Sequence, residues 1–513
     1  MTGKYKAVAS AIIIIALILA GLAGSVFYWH QRLRPQIIQE SMTPPVSPHG
    51  ATPGESSGNG TGPPPENATQ IIRNVNSTCR LVKEPAEYFY ICNMDGDSFK
   101  DVVTWTEDHN KTTGANNDSI LILENGTTVI NYTFKDISDT GIISIAVGDL
   151  TGDGLDDFVV NGVTGKYPST IRKYTAISAN GSILWQRTFS VFYLSIQYVV
   201  ANVTGDSRNE VVVADDGNLT VFDSHGNTLW KKKLGKMWGS FMIRDVTGDS
   251  GEEIVYKVSD YEYEPTEIIV FDGKGAELWR TSGSGFTSGD LNIDGKEELI
   301  VSDSARVRAY NRNLKALWVH SMQNKTSQWS WGIFSFIDLT GDSVKDVVFG
   351  SGQTVLALDS NGTLLWNFTL GNGWLDICDM EAANTSDGVR IAVGSTFAGY
   401  DASRGSLSIL SGNGSLVSSV EYDMYMGPVS IADLDGDGGK ELVAHGHYRD
   451  WTKPSGGEIH ILSLNGTDIF NETFAEDPHV LVADMENDRV AELLINRYGL
   501  WIYELADLMA GVG

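Results

Sequence analysis

A short acidic turn recurs nine times along the chain and constrains its fold more than any other feature. Each copy follows an apolar strand, has the general form Asp-x-(Thr/Asn/Asp/Glu)-x-Asp-x-x-x-(Asp/Glu), and runs into a second apolar strand. The clearest copy spans residues 433–441. A repeat about 40 to 55 residues long is too small to bury its own core, so it indicates a propeller or another repeat array. The other copies begin at Asn93, Asp149, Asn202, Asp245, Asp290, Asp338, Asp379 and Asp484.

The rest of each repeat completes a four-stranded blade. In residues 142–187, an apolar strand, the acidic turn, a second strand, a variable loop, a third strand, an Asn180-Gly181 turn and a fourth strand follow one another. This order is that of an antiparallel propeller blade. The sequence therefore predicts an all-β protein, a β-propeller of eight or nine four-stranded blades. In the nine-blade alternative, a strand within residues 71–82 completes the last repeat and pairs the two ends of the chain; otherwise a hairpin is left over.

A tryptophan holds one position in the second hairpin of five repeats, which indicates packing between blades. The hairpin reads Asp-x-x-Gly-x-x-Leu-Trp, as in residues 223–230. It is similar to the tryptophan docking motif of quinoprotein-type propellers, one residue shorter before the glycine. The acidic turns resemble the FG-GAP or VCBS repeat of integrin alpha-subunit propellers, and this resemblance covers residues 88–505. The tryptophans are Trp185, Trp230, Trp279, Trp318 and Trp366.

The acidic turns have the composition of a calcium-binding loop. Positions 1, 3 and 5 bring three oxygens around one point and position 9 adds a carboxylate, as in the EF-hand. Oxygen ligands without Cys or His favour calcium over zinc or copper. In the alternative interpretation, the same side chains only cap backbone N–H groups. The five predicted calcium sites consist of Asp433, Asp435, Asp437 and Glu441; Asp149, Thr151, Asp153 and Asp157; Asp290, Asn292, Asp294 and Glu298; Asn93, Asp95, Asp97 and Asp101; and Asp484, Glu486, Asp488 and Glu492.

Four turns depart from this pattern. Thr at position 3 predicts weaker sites in the turns that begin at Asp245 and Asp338. The turn assigned to Asp379 has Ala383 at position 5 in place of an acid, so we expect no metal there. Asn202 is both a first ligand position and a glycosylation sequon, and we expect it to act as a ligand.

The excess of acidic residues limits the partners of the chain. Its 513 residues carry a formal net charge of −28. Nucleic acids and anionic lipids are themselves negative and would be repelled, so we expect no nucleic-acid partner. Much of the charge lies in the acidic turns, where converging carboxylates need a cation.

The first 69 residues differ from the repeats. No charged side chain occurs between Ala7 and Trp29, a run long enough to span a bilayer. We interpret residues 1–34 as a signal anchor with a single transmembrane helix. A cleaved signal peptide, or pilin-like processing after Ala7, remains an alternative. Residues 35–69 are rich in Pro, Gly and Ser and predict a disordered stalk, and residues 70–513 form the predicted propeller.

Glycosylation sequons place the propeller outside the cell. The chain has 17 Asn-x-Ser/Thr sites, several times the number that chance predicts. Five of those in residues 70–513 are Asn-Gly turns, which hairpin geometry alone would explain. An oxidising compartment also permits a Cys79–Cys92 disulfide. The predicted glycan carriers are Asn67, Asn76, Asn110, Asn131, Asn218, Asn324, Asn367 and Asn471.

Ligand binding is expected on the face opposite the acidic turns. Variable loops on a rigid scaffold are where binding sites usually lie. Aromatic residues near these loops would suit stacking against sugars, although they could instead pack into the central channel. The predicted ligand-binding residues are Tyr193, Trp238, Trp329, Trp331, Trp374, Tyr425, His447 and Trp451.

The pattern favours a binding protein over an enzyme. We expect a membrane-tethered extracellular receptor or adhesin, with calcium as cofactor and a glycan or protein as ligand. The alternative is an extracellular polysaccharide-degrading enzyme, because calcium-bearing propellers also resemble those of some polysaccharide lyases. A third interpretation, a quinone-dependent dehydrogenase, would be supported by the tryptophan hairpins alone.

Overall fold

The computed structural model describes most of the repeat region of the chain. All of the secondary-structure elements of two or more residues in the described part are β-strands. The two-residue strand β1 (Cys79–Arg80) and a two-residue hairpin, β4 (His109–Asn110) with β5 (Ala115–Asn116), are the shortest elements. The described residues are 79–80, 86–96, 100–106, 109–110, 115–116, 118–124, 127–134, 142–164, 170–191, 196–215, 217–234, 238–249, 251–259, 266–322, 332–371, 375–397, 404–448, 456–475, 477–496, 500–503 and 505.

Eight antiparallel sheets, blades 1 to 8, each consist of four strands that follow one another along the chain, apart from the β4–β5 hairpin inserted in blade 1. Blade 1 contains β2 (Ala86–Cys92), β3 (Asp101–Thr106), β6 (Asp118–Glu124) and β7 (Thr127–Phe134). Blade 2 contains β8 (Ile142–Gly148), β9 (Asp157–Thr164), β10 (Thr170–Ile177) and β11 (Ile183–Val191). Blade 3 contains β12 (Ile196–Ala201), β13 (Glu210–Asp215), β14 (Asn218–Phe222) and β15 (Thr228–Lys233). Blade 4 contains β16 (Trp238–Arg244), β17 (Glu253–Ser259), β18 (Glu267–Phe271) and β19 (Glu277–Ser282).

The second half of the ring repeats this order. Blade 5 contains β20 (Gly285–Gly289), β21 (Glu298–Ser302), β22 (Arg306–Tyr310) and β23 (Ala316–Ser321). Blade 6 contains β24 (Ile333–Ile337), β25 (Asp346–Ser351), β26 (Thr354–Leu358) and β27 (Leu364–Thr369). Blade 7 contains β28 (Leu375–Thr385), β29 (Gly388–Phe397), β30 (Gly405–Ser411) and β31 (Leu416–Tyr422). Blade 8 contains β32 (Tyr425–Ala432), β33 (Glu441–His447), β34 (Gly457–Ser463) and β35 (Asp468–Phe474).

A ninth sheet, blade 9, joins strands from both parts of the repeat region. Its strand order is β1-β38-β37-β36, with β36 (His479–Ala483), β37 (Glu492–Asn496) and β38 (Leu500–Tyr503). The fourth strand thus lies within residues 71–82, as the nine-blade alternative predicts. The all-β propeller prediction is confirmed by this succession of four-stranded sheets.

In four pairs of adjacent blades, the acidic turns are joined edge to edge by the same backbone hydrogen bond. The N–H at position 8 of one turn donates to the position-1 carbonyl of the preceding turn, as from Asp156 to Asn93 at 2.8 Å and from Ala491 to Asp433 at 2.8 Å. Between blades 9 and 1, the Lys100 N–H donates to the Met485 carbonyl at 3.0 Å. The turns therefore lie side by side on one face, and the last blade contacts the first.

Tryptophans pin neighbouring blades together on the same face. The Trp185 ring of blade 2 lies under Gly226 of blade 3, where an added Cβ would come within 2.6 Å of the indole. Gly226 has a φ of +75°, and its hairpin accepts a hydrogen bond from the Trp185 indole N–H at the Ser224 carbonyl, at 3.0 Å. The same bond recurs from Trp230 to Gly273, from Trp318 to Ser360 and from Trp366 to Gly412.

The described residues correct one prediction about the cysteines. Cys92 is a free thiol, so the predicted Cys79–Cys92 disulfide is wrong. The Cys92 side chain instead packs in the apolar core between blades 1 and 2, with Phe158 and Ile145, and its Sγ contacts the Asp101 carbonyl at 3.7 Å. Burial raises the pKa of this thiol well above its usual value.

No helix among the described residues is long and apolar enough to cross a membrane. The predicted anchor at residues 1–34 and stalk at residues 35–69 lie outside the described residues.

Candidate functional site

Every complete acidic turn uses its position-9 carboxylate in the same way. The carboxylate is buried at the start of the second strand and accepts the N–H of position 2, for example Glu441 from Leu434 at 2.9 Å. The bond closes the turn and holds a negative charge beneath it. The other seven pairs are Asp101 with Met94, Asp157 with Leu150, Glu210 with Val203, Glu253 with Val246, Glu298 with Leu291, Asp346 with Leu339 and Glu492 with Met485.

The turn of blade 8 brings three acids together. Asp433, Asp435 and Glu441 each place one carboxylate oxygen within 4.8 Å of the others, a grouping of three metal-ligating residues within the described part of the chain. Asp433 also accepts the N–H groups of Gly436 at 2.8 Å and Gly438 at 3.0 Å, which fixes its orientation. The fourth predicted ligand, Asp437, accepts the Gly439 N–H at 2.6 Å and stays outside this group.

In several other turns, the side chain at position 3 donates a hydrogen bond to the buried carboxylate at position 9. The Thr247 hydroxyl donates to Glu253 Oε1 at 2.9 Å, and Asn292 Nδ2 donates to Glu298 Oε1 at 2.9 Å. In blade 8, position 3 is Asp435, and an ionised carboxylate cannot donate a hydrogen bond. Asp435 therefore cannot satisfy Glu441 in the way that Thr247 and Asn292 satisfy their buried acids.

The remaining predicted calcium sites differ in how completely they assemble. In the Asp149 turn, the Thr151 hydroxyl oxygen is buried without a hydrogen-bond partner, which leaves it available to an ion. Asp153 in that turn accepts the Leu155 N–H at 3.0 Å. In the Asp484 turn, Asp484 accepts the N–H groups of Asp488 and Arg489 at 3.0 and 2.8 Å. Asp97 of the Asn93 turn lies outside the described residues.

Burial and, after it, the charges of neighbouring acids raise the pKa of the buried carboxyls. Burial raises the pKa of Glu441, and the charges of Asp435, Asp433 and Asp437 raise it further. Burial likewise raises the pKa of Glu253 to about 7 and that of Glu492 to about 8. A divalent cation would favour the ionised forms and reverse these shifts.

Blade 7 has no turn of this kind, and its strand register corrects the sequence alignment. Ile391 pairs with Ala382 and Leu410, just as Leu442 of blade 8 pairs with Ile431 and Leu462. The register thus makes Asn384, and not Asp379, equivalent to Asp433. Asp379 lies inside β28, where its carboxylate accepts the Val429 N–H of blade 8 at 2.8 Å.

The turn of blade 7 is also shorter and has the opposite charge at its base. Two residues fewer separate Asn384 from Arg390 than separate Asp433 from Glu441, and Arg390 occupies the place of the buried acid. The Arg390 guanidinium donates to the carbonyls of Asp387 and Val389, both at 3.2 Å.

Of the predicted ligand-binding residues, two have described side chains. Tyr425 opens β32 and is only 6% exposed, so the expectation of an exposed ring does not hold for it. Its ring stacks on that of half-buried His447, with centroids 5.7 Å apart. Trp238 begins β16, without a described side chain. Tyr193, Trp329, Trp331, Trp374 and Trp451 lie outside the described residues.

The predicted glycan carriers lie partly on described strands. Asn367 in β27 and Asn471 in β35 are exposed, whereas Asn218 at the start of β14 is half-buried and donates to the Asp215 carbonyl at 3.2 Å. Asn110 and Asn131 lie in β4 and β7. Asn67, Asn76 and Asn324 lie outside the described residues.

Blade 8 has a network of polar side chains near its outer edge that no sequence motif predicts. His460 Nε2 lies 2.9 Å from Glu458, and the Tyr448 hydroxyl donates to the other Glu458 oxygen. Tyr422 of blade 7 packs on the His460 ring. The alternation of β34 places Glu458 and His460 on one face, which is the signal that could have paired them.

One protein family matches part of the chain. The sequence profile described as outer membrane protein assembly factor BamB, of the PQQ_2 repeat type, matches residues 226–374. The match covers parts of blades 3 to 6, including Trp230, Trp279, Trp318 and Trp366. No curated protein matches the chain.

Solved structures give only distant likenesses. The biofilm matrix protein Bap1 of V. cholerae is 16% identical, with 82% of this chain and 88% of that chain covered and a TM-score of 0.41. A eukaryotic initiation factor is 10% identical over 77% and 89% of the two chains, with a TM-score of 0.45. The Dos1 propeller is 11% identical over 71% and 92%, with a TM-score of 0.43. The propeller assignment rests on the sheet topology described above.

Proposed function

We propose that this chain is a calcium-binding, non-catalytic propeller that acts as a surface receptor or adhesin. The observation that carries the proposal is the convergence of Asp433, Asp435 and Glu441 within 4.8 Å. Three carboxylates at this separation repel one another unless a cation lies between them. The ligands are oxygens alone, the set that calcium prefers.

The side chains of the blade 8 turn are arranged as expected for a bound ion rather than for a turn that only caps backbone N–H groups. A turn that only caps its backbone satisfies its buried acid with a neutral donor, as Thr204 and Thr247 do for Glu210 and Glu253. The blade 8 turn places another acid, Asp435, at that position. The partnerless hydroxyl oxygen of Thr151 supports a second calcium site in blade 2.

Calcium in these turns would stiffen the scaffold rather than perform chemistry. The turns are linked to one another through backbone hydrogen bonds and lie on the face that carries the tryptophan hairpins. An ion that rigidifies one turn therefore also fixes the edge of the next blade. We propose that these turns are functionally of the FG-GAP type, although the matching family is of another repeat type.

Recognition is proposed for the opposite face. The loops there differ from blade to blade, and only such differences can specify a partner. The ligand would be a glycan or a protein, and the net charge of −28 disfavours nucleic acid. The alternative function, polysaccharide cleavage, would use the same face.

We also propose that the propeller is extracellular and tethered by the apolar segment 7–29. The 17 sequons support this location, and Asn367 and Asn471 lie exposed on outer strands where glycans would fit. Chemical deglycosylation of native material should shift its electrophoretic mobility. An unmodified cytosolic protein would contradict the location.

A glycan array probed with and without calcium tests the function. We expect calcium-dependent binding without turnover, and shortened glycans would instead support the enzyme. Replacing residues 449–451 by Gly and Ser should weaken binding without changing the melting temperature. Asp435→Ala is the matched variant on the other face, and it should lower stability with only an indirect effect on affinity.

A further inference from the structure

The seam between blades 7 and 8 holds a histidine-based cluster that is separate from the acidic turns. His460 lies in β34, and its side chain is 10% exposed. The ring packs against Tyr422 at the end of β31, with centroids 4.6 Å apart. Glu458 lies two residues before His460 on the same strand, and Asp468 opens the neighbouring strand β35.

The hydrogen bonds of Glu458 determine which ring nitrogen of His460 carries the proton. Glu458 Oε2 lies 2.9 Å from His460 Nε2, and Oε1 accepts the Tyr448 hydroxyl. An ionised carboxylate can only accept hydrogen bonds, so Nε2 of a neutral imidazole donates to Glu458. The lone pair of the neutral ring is then on Nδ1.

His460 Nδ1 faces a second acceptor. It is buried without a hydrogen-bond partner and lies 3.9 Å from Asp468 Oδ2, which is beyond hydrogen-bonding distance. Asp468 is 45% exposed, and its Oδ2 also accepts the Asn471 amide at 2.9 Å. A cation between the Nδ1 and Oδ2 atoms would satisfy both lone pairs.

We propose that His460 Nδ1 and Asp468 bind a divalent transition-metal ion of the zinc class, with water molecules as the remaining ligands. An imidazole nitrogen favours such metals over calcium. Tetrahedral zinc would place the nitrogen and oxygen about 3.4 Å apart, so the exposed Asp468 carboxylate needs to move by only about half an ångström. The site does not depend on the calcium proposal.

Glu458 has the position of an outer-shell partner in this site. Metal-binding histidines generally donate their other ring N–H to a carboxylate, which fixes the tautomer and the ring orientation. The Tyr448 hydroxyl in turn orients Glu458. Glu458 is therefore a positioning residue, and His460 and Asp468 are the ligands.

Zinc titration of the full chain by calorimetry, in buffer with excess calcium, tests the proposal. We expect one tight zinc equivalent that His460→Gln abolishes and Asp468→Asn weakens strongly. Glu458→Gln should weaken zinc binding by about 10- to 100-fold. His225→Gln, in an exposed hairpin of blade 3, is the matched control and should bind zinc as the parent does.

A second measurement separates metal binding from protonation or misfolding. Asp468→Asn changes an exposed side chain and should melt at the parent temperature in chelator, while losing the stabilisation that zinc gives to the parent. The proposal is overturned if His460→Gln retains the tight zinc equivalent. It is also overturned if nuclear magnetic resonance shows a His460 Nδ1 proton that zinc does not displace.

Discussion

Blades 7 and 8 are neighbours in the ring, yet they close their first hairpin in opposite ways. Blade 8 uses a nine-residue acidic turn with Glu441 buried at its base, whereas blade 7 extends β28 and β29 to a short turn with Arg390 at the equivalent place. The blade 8 hairpin brings several carboxylates together, whereas the blade 7 hairpin has an arginine at the equivalent place. The difference shows that the length of the turn and the residue at its base change together: a buried acid accompanies the nine-residue turn, and an arginine bonded to backbone carbonyls accompanies the short one.

The two blades also differ in their tryptophan hairpins. Trp366 of blade 6 lies under Gly414 of blade 7, but Ser418 occupies the corresponding place between blade 7 and Gly466 of blade 8. The longer strands of blade 7 bring Met380 and Ala382 into the core that packs against blade 6. The extended strands of blade 7 therefore add pairing within the blade and apolar packing against blade 6, whereas the contact with Gly466 of blade 8 is made by Ser418 in place of a tryptophan.

Calcium removal should have the largest effect. If each site binds with a Kd of about 10⁻⁴ M, millimolar calcium contributes about 1.4 kcal/mol per site. Four or five sites would then contribute on the order of 6 kcal/mol. Differential scanning calorimetry with and without chelator measures this. An unchanged melting curve would mean that the turns are metal-free caps, in blade 8 as in blade 7.

The second-largest loss of stability should follow from removing a tryptophan that packs between two blades. Trp366→Ala should lower the free energy of unfolding by about 3 kcal/mol, because it leaves a cavity under Gly414 and frees the Gly412 carbonyl. Ser418→Ala, at the equivalent place between blades 7 and 8, should change it by less than about 0.5 kcal/mol. Denaturant unfolding of both variants measures the difference, and equal effects would contradict the packing account.

Replacing the buried acid of blade 8 should give opposite effects with and without calcium. Glu441→Gln keeps an acceptor for the Leu434 N–H but removes the charge, so it should cost about 1.4 kcal/mol in calcium and stabilise the protein in chelator. Asp387→Ala in the blade 7 turn is the control and should respond to calcium as the parent does. A destabilisation of Glu441→Gln that is independent of calcium would exclude an ion in this turn.

The stability of the protein in chelator should also depend on pH. Glu253 and Glu492 have folded pKa values of about 7 and about 8, above the ordinary value of 4.5. Between pH 5 and 8 the folded state then binds more protons than the unfolded state, so stability in chelator should fall as pH rises. Calcium should weaken or reverse this trend because it binds the ionised acids. Thermal melts at pH 5 and pH 8 test the sign.

The propeller could be predicted from the sequence because its signals are local and repeated. Each acidic turn lies between two apolar strands, and the eight true copies outweigh the ambiguity of any single one. The register of blade 7 could not be predicted in this way. Asp379-Met380-Glu381 resembles the start of a turn, but the true equivalent lies five residues later, and only the pairing of β28 with β29 reveals it.

Side-chain environments were harder to predict than strand order. A position in a segment that links two blades predicts an exposed ring for Tyr425 or a ring packed in the channel, and the blade packs it to 6% exposure. An oxidising compartment permits a disulfide of Cys92, yet its thiol belongs to the core between two blades. The pair of His460 and Asp468 belongs to two strands joined through a β-bulge, which sequence spacing does not encode.

The most direct test is the anomalous difference density of a crystal grown in calcium. The account predicts a peak bounded by Asp433, Asp435 and Glu441, and none at the blade 7 turn between Asn384 and Arg390. No peak in the blade 8 turn at saturating calcium, with its carboxylates bonded only to backbone N–H groups, would contradict the account.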